Sequence, residues 1–93
     1  MEDSLLTSFE YQFPACLQWI PSDEATRRDQ ALKIVEEAEE VMIAHLSPVD
    51  PYVMEIMDVI HACETALREF PQSELDRVKR DLISKNYERG YYI

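Results

Sequence analysis

The chain has 93 residues and sets 19 Asp plus Glu against 9 Lys plus Arg, a formal net charge of −10. That balance excludes a general nucleic-acid binder, which needs basic residues to displace counterions from phosphates. An apolar content of 46% excludes a disordered acidic tail, and the length predicts a single domain over residues 1–93.

The first segment, Leu5 to Ile20, carries Leu5, Leu6, Phe9, Phe13, Leu17 and Ile20 at helical spacing, and Pro14 interrupts it. Proline removes an amide donor and clashes with the preceding turn, so two short helical pieces or one kinked helix are expected. Pro21-Ser22-Asp23 reads as a helix start. The next helix should run from about Glu24 to Leu46, with Ala31, Ile34, Val35, Ala38, Val41, Met42 and His45 as its inward stripe. Ser47 to Pro51 is a turn, with Asp50 as cap and Pro51 at the first helical position of the helix that follows. That helix, from Pro51 to about Phe70, is apolar around most of its circumference, the pattern of a central, buried element. The last should open at Pro71-Gln72-Ser73 with Ser73 as cap, run to about Glu88 and stop at Gly90, the one glycine of the chain. An α/β or β-rich domain normally spends several glycines on turns and phosphate loops. The expected fold is therefore all-α, with four to five helices, and any phosphate chemistry must use side chains and metal.

Cys16 and Cys63 sit among apolar residues and read as free thiols. The acidic opening lacks the basic and apolar regions of a secretion signal, and no window approaches the roughly 20 apolar residues of a membrane span. A cytoplasmic protein with no membrane partner is expected.

The candidate chemistry lies in Glu36-Glu37-Ala38-Glu39-Glu40, answered by Glu55-Ile56-Met57-Asp58 on the next helix. Glu37 and Glu40 are three apart, as are Glu55 and Asp58, so each pair shares a helix face. A short connection makes the two helices antiparallel neighbours, and the pairs can face each other. Converging carboxylates repel unless a hard divalent cation joins them. The plainer reading is a solvated face, because Glu36, Glu37 and Glu40 fall roughly opposite the apolar stripe. Glu55 and Asp58 weigh against it, since their own helix is otherwise mostly apolar and carboxylates are rarely buried alone.

Glu36-Glu37-x-x-Glu40 followed by Glu55-x-x-Asp58 resembles the signature of the all-α nucleotide pyrophosphohydrolases, particularly the MazG-like proteins. Lys85-Asn86-Tyr87-Glu88-Arg89-Gly90-Tyr91-Tyr92 resembles the ending of their small members, so the likeness covers about Lys33 to Tyr92. It implies hydrolysis of a nucleoside triphosphate to the monophosphate and pyrophosphate. It also implies Glu37, Glu40, Glu55 and Asp58 as ligands of Mg2+, with Mn2+ as a substitute. Glu36 then joins Glu37 as a catalytic residue, orienting the attacking water or holding a second metal. Lys85, Asn86 and Arg89 become substrate contacts.

Several alternatives stand beside this. Lys33 to Val41 also resembles phosphoribosyl-ATP pyrophosphohydrolase of histidine biosynthesis, which the Arg-Gly-Tyr-Tyr ending fits less well. A non-catalytic helical interaction module is the rival from another class. Asp58-x-x-His61 is half of a di-iron arrangement that His45 cannot complete, since Met42 occupies the required carboxylate position. Met42, Met54 and Met57 read as core fillers, and Trp19 as a packing residue or a wall of a nucleotide pocket. Four short helices cannot cover the apolar third one within 93 residues, so a helical bundle completed across a homodimer, or a tetramer of paired dimers, is expected.

Overall fold

The computed structural model describes residues 8–49 and 51–92. Among them are three helices and no strand: α1 (Glu24–Ala44), α2 (Tyr52–Leu67) and α3 (Gln72–Glu88). The all-α expectation holds; among the described residues three helices stand where four to five were expected. Residues 8–20 form bends, a turn and irregular chain, while the expected helical positions Leu5 and Leu6 lie outside the described residues. Side chains supply the reason. The Gln12 and Phe13 amides donate to the two oxygens of Glu64, at 2.8 and 3.0 Å, and Arg68 donates to the Phe13 carbonyl at 2.7 Å. Backbone groups satisfied from α2 have no need of helical partners. Pro14, just beyond, has no amide to contribute.

Asp23 caps α1 as expected. Its carboxylate accepts from the Thr26 amide at 2.8 Å, and the Thr26 hydroxyl takes the Asp23 amide at 3.1 Å, a reciprocal capping box. The Thr26 amide bond holds the Asp23 carboxyl below its ordinary value. The helix stops at Ala44, two residues short of the expectation, where Leu46 and Ser47 bond back three residues to Ile43 and Ala44. Pro51 is the cap residue of α2 rather than its first helical residue, and Asp50, the expected cap, lies outside the described residues. α2 ends at Leu67 rather than Phe70, because a residue before proline disfavours helical geometry. α3 starts ahead of the expected cap Ser73. Pro71, extended at ψ 154°, takes the cap position, and its carbonyl accepts from both Glu74 and Leu75. At the other end Gly90 donates to the Tyr87 carbonyl and Tyr91 to that of Asn86, both at 3.0 Å, with Gly90 at φ 79°. This pair of bonds is the Schellman motif that the glycine's place predicted.

The chain divides into two compact units, Gln12–Glu69 in one, and Phe70 onward with the segment ending at Tyr11 in the other. In the second, α3 anchors residues 8–11. Phe9 donates its amide to Asp76 at 2.7 Å, Gln72 donates to the Phe9 carbonyl at 2.7 Å, and Lys79 donates to the Ser8 carbonyl at 2.6 Å. In the first unit, α1 and α2 pack against each other. Their packing turns α1 from the expected facing: Ile34 and Val41 of the expected stripe are half-buried beside the contact, but its other members are exposed. The residues α1 buries are Gln30, Glu37 and Ala44, each seven apart, whereas Val35 and Met42 of the expected stripe are 52% and 65% exposed. At about 100° per residue, Leu32, Val35, Met42 and Ile43 gather on the side roughly opposite that seam. α2 is likewise not enclosed: Val53, Met54, Met57 and Ile60 are exposed, while Ala62, Glu64 and Thr65 are buried. No described helix is long and apolar enough to cross a membrane.

Candidate metal centre

The seam between α1 and α2 is built on helical spacing from both sides. Gln30, Lys33, Glu37 and Glu40 follow one another at three- and four-residue steps on α1, as do Glu55, Asp58, Ala62 and Thr65 on α2. Gln30, buried, ties them at one end. Its amide nitrogen donates to the Ala62 carbonyl at 2.9 Å, and its oxygen accepts from the Trp19 indole at 2.6 Å. Trp19 is thereby fixed by α1 although it belongs to the irregular segment before it.

At the other end, Glu37, Glu55 and Asp58 converge. One carboxylate oxygen from each lies within 4.8 Å of the other two, a grouping that can hold a metal ion. Glu37 is buried, Glu55 half-buried and Asp58 exposed, so the group opens to solvent on one side. Glu40 joins its edge. Its carboxyl is pushed above the ordinary carboxylate value, first by its hydrogen bond with Glu55, then by the charge of Glu37 and by burial. Oε2 of Glu55 is buried with no hydrogen-bond donor to satisfy it. A carboxylate cannot donate, so that oxygen needs either a proton held by Glu40 or a cation. All the ligands are hard oxygens, as magnesium and manganese require. The residues present therefore fit a divalent ion.

Beside this group lies an open cleft of about 410 Å³. Cys16, Trp19, Gln30 and His61 line one part of it, and Lys33, Glu37 and Asp58 another. Phe13 braces His61 edge-on, with ring centroids 5.3 Å apart. Lys33 pairs with Glu37 at 2.8 Å, and this bond raises the ammonium above its ordinary value. Cys16 lies 3.8 Å from the Thr65 hydroxyl, and both it and Cys63 are free thiols, half-buried, with burial raising the Cys63 value.

Of the residues singled out in the sequence, Glu37, Glu55 and Asp58 are brought together and Glu40 adjoins them. Glu36 is exposed on α1 and is not a member of the three-carboxylate group. Lys85 and Asn86 occupy the last turn of α3 and Arg89 is its C-cap. Asn86 is half-buried and 3.5 Å from the Tyr92 hydroxyl. His45 lies at the end of α1, its Nδ1 against the Met42 carbonyl. Gln30 and the ion pair of Lys33 were not among the expected site features. The signal was present as Gln30, Glu37 and Ala44 at intervals of seven, a seam that apolar periodicity passes over.

No family model matches the chain, no curated protein matches it, and no solved structure matches its fold.

Proposed function

We propose that the chain is a magnesium-dependent nucleoside triphosphate pyrophosphohydrolase of MazG-like type, releasing monophosphate and pyrophosphate. The observation that carries this reading is the buried, unsatisfied Oε2 of Glu55 beside Glu37 and Asp58, at the margin of a cleft wide enough for a nucleotide's base and sugar. Glu37, Glu40, Glu55 and Asp58 would hold the metal. Bound there, magnesium supplies positive charge to phosphate oxygens and acidity to water.

The chain's own residues supply the rest. Glu36 and Glu37 orient the water that attacks the α-phosphorus. Trp19, held by Gln30, and His61, held by Phe13, form rigid planar walls against which a base can stack. Lys85, Asn86 and Arg89 are assigned to the outer phosphates, arginine for its two-pronged grip on phosphate oxygens. The active form is a homodimer, because α1 and α2 meet through a polar seam and turn their large apolar side chains outward.

A panel of nucleoside triphosphates, with phosphoribosyl-ATP included, assayed with and without magnesium, tests this. Monophosphate and pyrophosphate should appear in equal amounts and only with the metal. Selective turnover of phosphoribosyl-ATP would move the assignment to the histidine-pathway enzyme. No turnover of any member would leave an interaction module.

A further inference from the structure

Lys33 is the one cation among the described residues that line the cleft, and its partner is not a surface acid but Glu37, the buried member of the carboxylate group. The pair spans one helical turn, so the ammonium reaches Glu37 without leaving the cleft wall. More than half of the Lys33 side chain remains exposed. A flexible four-carbon stem with an exposed end can swing, whereas Glu37, buried in the seam, cannot follow it.

A divalent ion needs the same carboxylate, and a dication beside an ammonium on one ligand is disfavoured by charge. From this geometry, and resting on the function proposed above, we infer that Lys33 is an exchangeable counter-ion. It neutralises Glu37 in the free chain, yields that carboxylate to the metal, and turns its ammonium into the cleft to bind a phosphate of the nucleotide. Lys33 therefore opposes metal binding and favours nucleotide binding. A residue serving only the fold would do neither, and an ordinary metal-site support would favour both. Two other basic side chains of this unit are engaged elsewhere. Arg27 is held by Glu69 at 2.7 Å, and Arg68 donates to the Phe13 carbonyl.

The test compares the parent chain with Lys33→Gln, Lys33→Met and Lys33→Arg. Mn2+ affinity is measured by electron paramagnetic resonance, and affinity for an α,β-imido nucleoside triphosphate by calorimetry at saturating magnesium. Lys33→Gln and Lys33→Met should bind Mn2+ several-fold more tightly and the nucleotide about tenfold more weakly, the scale of one charge-assisted hydrogen bond. Lys33→Arg should stay near the parent in both. Unchanged or weaker Mn2+ binding in both neutral variants overturns the inference, as does unchanged nucleotide binding. If the parent binds Mn2+ but no nucleotide, the proposed function fails while tighter Mn2+ binding in the neutral variants still supports the exchange at Glu37. If the parent binds no divalent ion, both readings fall together.

Discussion

Glu40 and Glu55 are oppositely placed in consequence though alike in chemistry. Glu40 is exposed and adds charge to a group already crowded with it, whereas Glu55 has a buried oxygen awaiting a donor. Glu40→Gln should raise the melting temperature in the presence of a chelator by a few degrees, because one repelling charge leaves and an amide donor arrives. The same substitution should blunt the rise produced by magnesium, as should Glu37→Gln, Glu55→Gln and Asp58→Asn, since a ligand stabilises the state that binds it. Differential scanning fluorimetry with and without Mg2+ reads both effects; an unshifted parent at saturating Mg2+ would count against a preformed site. Asp76 gives a pH dependence of definite sign. The Phe9 amide first, then Gln72, holds its carboxyl below the ordinary 3.8. A lowered folded value means the stabilisation is present above that ordinary value and is lost as pH falls through the lower folded one. Asp76→Asn should therefore melt below the parent at pH 6, and the gap should close on acidification below about 4. A gap that persists unchanged at pH 2 would show that the carboxylate's charge is not what secures residues 8–11.

The helices show how far the sequence could be read. The existence of the three helices and two of their six ends followed from local chemistry: the start of α1 after Asp23 and the end of α3 before Gly90. Those signals are complete within four or five residues. The facing of α1 was not legible, because two rules conflict there. Apolar spacing directs Val35 and Met42 inward, yet Gln30 and Glu37 are the residues buried, since each finds a partner: Trp19 and Ala62 for one, Lys33 for the other. Burial of a polar group depends on what meets it, and that partner lies on another element. The acidic pairs themselves were legible from their three-residue steps, while the edge of Glu36 relative to Glu37, one residue or about 100° away, decided which of them entered the seam. Residues 8–20 were misread for a similar reason, as Glu64 and Arg68 lie more than 50 positions along the chain and no local pattern announces them. A prediction at this scale concerns the end of α3. An added Cβ on Gly90 meets nothing within 4 Å, so Gly90→Ala tests backbone conformation alone. At φ 79° it should cost about 1–2 kcal/mol in urea denaturation, with no loss of metal response. A neutral result would mean that the helix end relaxes to another turn.

For the molecule as a whole, the decisive feature is the short roll of buried apolar side chains. Among the described residues only Ala44, Ala62 and Leu75 are buried core hydrophobics, with Pro21 fully enclosed. Meanwhile Leu32, Val35, Met42 and Ile43 lie open on α1, Leu46 just past its end, and Val53, Met57 and Ile60 on α2. Apolar patches beyond a few hundred Å² mark interaction surfaces, and the polar α1–α2 seam provides little hydrophobic stabilisation of its own. A second copy burying these faces accounts for both. Sedimentation at micromolar concentration should give a dimer or larger, and Val35→Asp with Met42→Glu should dissociate and destabilise it together. A stably folded monomer of the parent would refute the assembly.

The closeness of the three carboxylates has a consequence for ionic strength. At physiological salt the Debye length is about 8 Å. The ligand atoms of Glu37, Glu55 and Asp58 lie within 4.8 Å of one another, inside a single screening length. Monovalent ions can therefore soften the long-range repulsion of a chain with a net charge of −10, but they leave this local repulsion almost intact. Potassium chloride and magnesium chloride matched in ionic strength should then act on different parts of the molecule. The potassium response should be gradual and survive Glu55→Gln, whereas the additional magnesium response should saturate and vanish with it.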